Sequence, residues 1–264
     1  MEHKNYEDLT FTDSFMFTKV MLDKELCAKI LSLLLRTDIG PIDEVKYEEN
    51  LQISAQNKPI RLDIFTKDEH ACYDAEMQNK NNQSLENIAL PRRSRYYQSM
   101  IDLDAIDNGV GYRELLDSNV IFICTFDPFG LDLPIYTFRN SCEENPSLIL
   151  HDGCIKYFFN VTANPEKIPN DLKAFFSYTV GNEATDDLTK EIDSKINTYK
   201  TNESWRAEYM YFNLWEQDAK EEGREEVRAE ERAKTAQAIV ERDEALAEVE
   251  RLKKILASNG ISSN

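Results

Sequence analysis

The stretch Ile60 to Lys80 constrains this chain more than any other, because its hydropathy alternates with the period of two that belongs to a half-buried strand. Ile60, Leu62 and Ile64 are apolar, Arg61 and Asp63 between them are charged, and Phe65 is the one exception on the charged face. After Lys67-Asp68-Glu69-His70 the alternation resumes: Tyr73, Ala75 and Met77 are apolar, while Asp74, Glu76, Gln78 and Lys80 share the other face. Two such runs joined by a short polar linker predict an antiparallel hairpin. A slip of one residue would expose half the apolar set, so burial selects a register with Asp63 and Glu76 on one face, pointing away from the core. A two-residue turn that pairs Lys67 with His70 sets Asp63 opposite Asp74, with Glu76 as its diagonal neighbour about 7–8 Å away.

Carboxylates gathered in this way repel unless water or a cation separates them. Magnesium takes oxygen ligands in octahedral geometry, commonly one or two carboxylates with the remainder from water and phosphate, and Asp63 with Glu76 supplies that number. A solvated polar face explains the same alternation without any metal. On this reading the face is polar and uncovered, so alanine at Asp63 or Glu76 is expected to leave folding intact.

The hairpin sits within an α-β-β-β-α-β order, an α/β fold. Phe11 to Arg36 carries apolar residues at helical spacing on two consecutive helices, with Asp23 as the N-cap between them. Glu44 to Ala55 reads as a first strand closed by the turn Asn57-Lys58-Pro59. A helix over about Leu85 to Asp104 holds Arg92, Arg93, Arg95, Tyr96 and Tyr97, and Asn119 to Phe126 reads as a buried strand. Further strands are expected near Ile135 to Arg139 and Ile155 to Val161, and helices near Asp171 to Tyr178 and Asp186 to Tyr199. Glu216 to Leu256 is a long charged helix broken at Gly223, so the chain divides into a domain over residues 1–205 and a helical extension over 206–264. Val249, Leu252 and Leu256 fit a coiled-coil seam that Thr235, Ala238, Arg242 and Ala245 continue poorly, which permits but does not demand a homo-oligomer through that helix.

A length of 264 residues with 41 % hydrophobic content suffices for one sizeable core. No apolar run approaches the roughly 18 residues of a membrane span, and MEHKNYEDLT lacks the order of a secretory signal, so a cytoplasmic protein without a membrane partner is expected. Cys27, Cys72, Cys124, Cys142 and Cys154 show no metal or disulfide spacing and read as reduced core thiols. The three histidines, His3, His70 and His151, are scattered and receive no role. The net charge of -18 opposes any broad basic surface, and the charged tail contributes only about -4 of it. A nucleic-acid interface must therefore be local.

Taken in order, DSFMF from Asp13, RLDIF around Asp63, DAEMQ with Glu76 and Gln78, and RRSRYYQS from Arg92 resemble the recombination-promoting nuclease (Rpn) group, also called PD-(D/E)XK nuclease family transposases. The resemblance covers about Leu9 to Thr162, and EEGREE at Glu221 fits it too. It implies a restriction-endonuclease-like core, with a mixed sheet flanked by helices, in which Asp63 and Glu76 hold Mg²⁺ or another divalent cation for hydrolysis of DNA phosphodiesters during recombination or element movement. The wider superfamily carries a lysine two residues after the acidic ligand, to orient water and offset phosphate charge. Here that place is Gln78, which can hydrogen-bond but brings no charge. Lys80, one pleat further on, or Arg92 or Arg93 from the next helix, would supply it. Related nucleases also place an extra acid in the first helix, which makes Asp13 a third candidate ligand, although an N-cap role explains it equally. Tyr96 and Tyr97 are candidates for contact with the nucleic acid, one of them buried and one at the site. Two other readings stay open: a non-catalytic DNA-binding or assembly protein on the same fold, and a ribonuclease.

Overall fold

The computed structural model describes residues 4–42, 44–51, 60–79, 85–107, 109 and 111–211, with residues 234, 235, 242, 249 and 251 of the carboxy-terminal segment. The chain forms two compact units, Met1–Trp205 and Arg206–Asn264. The first is an α/β unit. After a 3₁₀ turn at Tyr6–Asp8 come α1 (Ser14–Met21), α2 (Lys24–Leu35), β1 (Val45–Leu51), β2 (Ile60–Lys67), β3 (Ala71–Gln78), α3 (Leu85–Asp107) and β4 (Asp117–Cys124). They are followed by β5 (Ile135–Phe138), β6 (Cys154–Asn160), α4 (Lys173–Thr179) and α5 (Asp187–Lys200). What is described of the second unit is helical backbone at residues 206–211 and at the five scattered positions. The turn Asn57-Lys58-Pro59, the break at Gly223 and the apolar positions Leu252 and Leu256 lie outside the described residues, as does Lys80. No described helix is long and apolar enough to cross a membrane.

Local chemistry accounts for the helices. Asp23 caps α2 by accepting from the Leu26 backbone N–H at 3.2 Å, which stops α1 and starts α2 within one turn. Asp186 and Thr189 form a reciprocal capping box at the head of α5. The six strands make one mixed sheet in the order β1-β2-β3-β4-β6-β5. β1, β2 and β3 pair antiparallel, β3, β4 and β6 parallel, and β5 antiparallel to β6. Gly153, at φ +73°, lets β6 start against β4, since a Cβ there would lie 2.5 Å from Asp117 Oδ1.

The sheet is covered on both faces. On one, Phe159 meets Phe176 of α4 edge-on at 6.3 Å, and α1 packs against β2 and α5. On the other, α3 lies over β4, where Leu90, Tyr97, Met100 and Ile101 close on Val120, Phe122, Cys124 and Phe158. β4 is therefore apolar on both sides, as a parallel central strand must be. β3 is central too, and so both its faces are buried. This corrects the expectation that the acidic face of the hairpin points away from the core. The cysteine reading also needs amending: Cys27, Cys72 and Cys124 are buried, whereas Cys142 and Cys154 are only partly so, and all five are free.

The register of the hairpin differs from expectation by two residues. Ile64 pairs with Ala75, Phe65 with Asp74 and Lys67 with Cys72, and the tight turn is made by Glu69 and His70. Apolar burial settles which face a residue occupies, but a shift of two preserves every face, so turn chemistry decides the step. The deciding residue is Asp68. Its Oδ1 accepts from the His70 and Ala71 N–H groups at 2.8 Å each, and its Oδ2 accepts from Tyr73 Oη at 2.9 Å and Gly40 N–H at 3.3 Å. Burial opposes ionisation of Asp68, but these donors outweigh it and hold its pKa below the ordinary 3.8.

Asp68→Ala is expected to cost about 2 kcal/mol of stability at neutral pH, the scale of lost hydrogen bonds to a charged group. Because the folded-state pKa is depressed, that contribution is present above the unfolded value and lost as pH falls through the folded one. Urea unfolding of parent and variant should thus show a gap that is constant above pH 5 and closes below 3.8; a gap that widens in acid would contradict the assignment.

Candidate metal centre

Pairing of β2 with β3 stops at Ile64 and Ala75, and beyond that point side chains replace the ladder. Glu76 Oε1 accepts from the Asp63 N–H at 2.8 Å, and Asp63 Oδ2 accepts from the Met77 N–H at 3.2 Å. Each acid thus caps a backbone donor of the opposite strand. Continued past Ile64, the observed register places Asp63 directly across from Glu76 instead of from Asp74. The two carboxylates share one face, as the alternation requires.

α3 turns this face into an interior. Asp74 is fully buried and Glu76 is 1 % exposed, while Asp63 remains half-buried at the opening. Burial raises the pKa of both Asp74 and Glu76 well above the usual carboxyl range, and the Asp63 charge pushes in the same direction. Arg93, from α3, opposes this. Its Nη2 donates to Glu76 Oε2 and to Tyr97 Oη, at 3.0 and 3.1 Å, and its Nη1 donates to Gln78 Oε1 at 3.0 Å. The guanidinium also lies 5.2 Å from the Tyr97 ring centre and 5.6 Å from that of Phe122, which fixes its plane.

Asp74 is the group the sequence reading passed over. Neither of its oxygens receives a hydrogen bond from a donor, and the Asp63, Glu76 and Arg93 side chains all lie near enough to act on its carboxyl. A carboxylate buried without a donor is costly, which is why burial favours the neutral form of Asp74 beside Glu76. The signal was present in sequence, since Asp74 shares the parity of Glu76, but nothing there revealed that a helix would bury it.

The other expected residues are distributed unevenly. Gln78 is partly buried on the same face, with Nε2 donating to the Met77 carbonyl at 3.2 Å. Of the two neighbouring arginines only Arg93 reaches the acids; Arg92 is exposed on α3, as is Arg95. Tyr97 is buried and touches the site, so one tyrosine fills both expected roles, while Tyr96 is 37 % exposed. Asp13 precedes α1 at its N-cap position, but its carboxylate accepts from Lys4 Nζ at 2.9 Å and the Thr10 N–H at 2.7 Å and does not cap the helix. Its neighbour Thr12 accepts from Asn79 at the end of β3, which brings the loop to the hairpin without adding Asp13 to the acid cluster.

No group of three or more His, Cys, Asp or Glu side chains among the described residues forms a ready metal cage. The donor chemistry nonetheless fits a magnesium-like ion, which needs one or two carboxylates and takes its remaining oxygens from water and substrate. Asp63 stands at the opening, Glu76 beside it, and Asp74 behind them lacks a cationic or donor partner of its own. Burial also revises the expectation for alanine: Glu76→Ala would leave Arg93 short of its counter-charge, so Glu76→Gln is the conservative probe. Comparison of the chain with protein-family models, with curated proteins and with solved structures gives no match.

If the cluster is completed by a cation, Asp74→Asn should raise the stability of the metal-free protein by about 1–3 kcal/mol, because it removes a buried carboxyl that lacks a donor. Saturating Mg²⁺ should then stabilise the parent and move the variant less. Thermal unfolding in EDTA and in Mg²⁺ reads both effects. A less stable variant in EDTA, or no Mg²⁺ response in the parent, would count against a metal centre.

Proposed function

We propose that this chain is a divalent-metal-dependent phosphodiesterase that cleaves DNA, built on a restriction-endonuclease-like core. The observation that carries the reading is the pair Asp63 and Glu76 bridging the parted ends of β2 and β3, backed by the donorless Asp74. The mixed sheet and the motif resemblance from Asp13 to Ser99 support it.

Asp63 and Glu76 would hold the ion, and a bound cation would oppose the burial that favours the neutral form of the neighbouring Asp74. When bound, the ion supplies Lewis-acid polarisation of a phosphoryl oxygen and lowers the pKa of water. Gln78 and Arg93 act as a unit. By accepting from Arg93 Nη1, the Gln78 carboxamide holds the guanidinium over the acids, and one amide hydrogen remains to orient water or a phosphate oxygen. Arg93 thereby provides the positive charge that a lysine at position 78 would otherwise bring, with the planar fork suited to a phosphate. About a third of its side-chain surface is exposed, so substrate can reach it. Tyr97, whose pKa is raised chiefly by burial and then by Glu76, stays protonated and orients the same guanidinium. The exposed Arg92 and Arg95 give an acidic protein a local basic strip along α3.

One observation favours a second reading. Both Glu76 oxygens are already engaged, by the Asp63 N–H and by Arg93, as they would be in a purely structural ion pair of a DNA-binding or assembly protein. Ribonuclease activity is a variant of the first reading, since a phosphate-directed centre does not exclude a 2′-hydroxyl.

Single-turnover nicking of supercoiled plasmid at saturating Mg²⁺ separates these readings. Asp63→Asn and Glu76→Gln should bring cleavage to background, and Gln78→Ala should slow it by about 10²–10³-fold, the effect of losing a transition-state hydrogen bond. Gln78→Lys should be tolerated only with Arg93→Gln, because the two cations would otherwise compete for one place. Cleavage that survives Asp63→Asn sinks the assignment, and a parent that cuts neither DNA nor RNA returns the structural reading.

A further inference from the structure

The other flank of α3 holds a cleft that the metal chemistry does not use. It lies between the first described turns of α3 and the β5–β6 hairpin, with a volume of about 400 Å³, within the range of small-ligand sites. Phe158 forms its floor. Phe129 and Phe138 stand edge-on to that ring at 5.1 and 5.7 Å, with interplanar angles of 83° and 88°. Phe138 is 46 % exposed, so an aromatic surface is offered to solvent, and Pro91 bounds the helix side.

The charge of the lining is as distinctive as its rings. Among the described residues Arg139 and Lys156 line the cleft and no Asp or Glu does, in a chain with 49 acidic and 31 basic residues. Lys156 is hydrogen-bonded to the neutral Gln98 Oε1. Asp102 and Asp152 lie near enough to interact with its charge, yet neither faces the cleft. An exposed ring such as Phe138 recognises a planar π system, and two cations recognise an anion.

Strand register ties the cleft to the acids. Glu76 is level with Phe122 on β4, Phe122 with Phe158 on β6, and Phe158 with Tyr136 on β5. With strands about 4.8 Å apart, the floor of the cleft is roughly 10 Å from Glu76 on the same sheet face. α3 packs over β4 between the two, so a strand reaching both would pass around the helix rather than straight across the sheet.

We propose that this cleft is a nucleotide subsite: it takes one unpaired base of a single strand against the exposed Phe138, whose ring the buried Phe158 supports, with the adjoining phosphate on Arg139 and Lys156. The strand's onward path to the carboxylates rests on the phosphodiesterase reading; the recognition chemistry does not.

The test is anisotropy of a fluorescent oligothymidylate with the full chain in EDTA, where no cleavage can occur. The parent should bind, Phe138→Ala should weaken binding by about 5- to 100-fold, the worth of one stacked base, and Phe138→Trp should retain it. Arg139→Gln should weaken binding and reduce its salt dependence by about one phosphate contact. Oligouridylate binding with the same dependence on Phe138 also supports the subsite, since base and phosphate are all it contacts. The proposal is overturned if the parent does not bind the strand, if Phe138→Ala binds normally or Phe138→Trp fails like alanine, or if blunt duplex binds as well as single strand. Loss of plasmid nicking alone, with strand binding intact, would sink the hydrolytic reading and leave the subsite standing.

Discussion

The site depends on one guanidinium. Arg93 stands where two buried carboxyls, a carboxamide and a phenol converge, and it donates to three of those four groups. Without it, the acidic face of β3 could not lie beneath α3, because two carboxyls would be buried with no cation to offset them. With it, α3 closes over the centre of the sheet and the acids are held at pKa values well above their solution range. The compensation is incomplete, since Asp74 still lacks a donor. On the proposed function, a bound cation would be what favours the charged form of this cluster.

Much of this was legible before the fold was known. Asp23 announced the break between α1 and α2, and the alternation of Ile60 to Met77 put Asp63 and Glu76 on one face. What alternation could not reveal was the step of the register. Displacing the pairing by two leaves every side chain on its own face, and the choice was made by the hydrogen bonds of Asp68 around the Glu69-His70 turn. The burial of the acidic face was hidden for a different reason. Period-two patterning reports polarity within one strand, whereas burial here comes from α3, whose own pattern is uninformative because it carries Arg92, Arg93 and Arg95 beside Tyr96 and Tyr97. The choice of Arg93 over Arg92 is likewise a matter of helix rotation, fixed by Tyr97 and Leu90 packing inward.

On the proposed function, an acidic protein would have to confine the positive charge that meets a polyanion. In the first unit, Arg93 faces the acids, Arg92 and Arg95 line the exposed side of α3, and Arg139 and Lys156 border an aromatic cleft that no Asp or Glu lines among the described residues. All belong to the α3 side of the sheet or to its edge at β5 and β6. The opposite side is given over to packing, where Phe159, Phe175 and Phe176 are wholly buried among α1, α4 and α5. A weak general attraction for nucleic acid, with engagement only where a cation and this local charge act together, is the expected behaviour.

The claim on which the rest turns is that a divalent ion binds between Asp63 and Glu76. Crystals soaked in Mn²⁺ and measured at a wavelength that excites manganese would locate the ion directly. The account requires an anomalous peak about 2.1 Å from an oxygen of each of Asp63 and Glu76, with Asp74 behind it and Arg93 drawn off Glu76 Oε2. A peak held elsewhere, or none here while the Arg93–Glu76 pair persists at its present 3.0 Å, would contradict it.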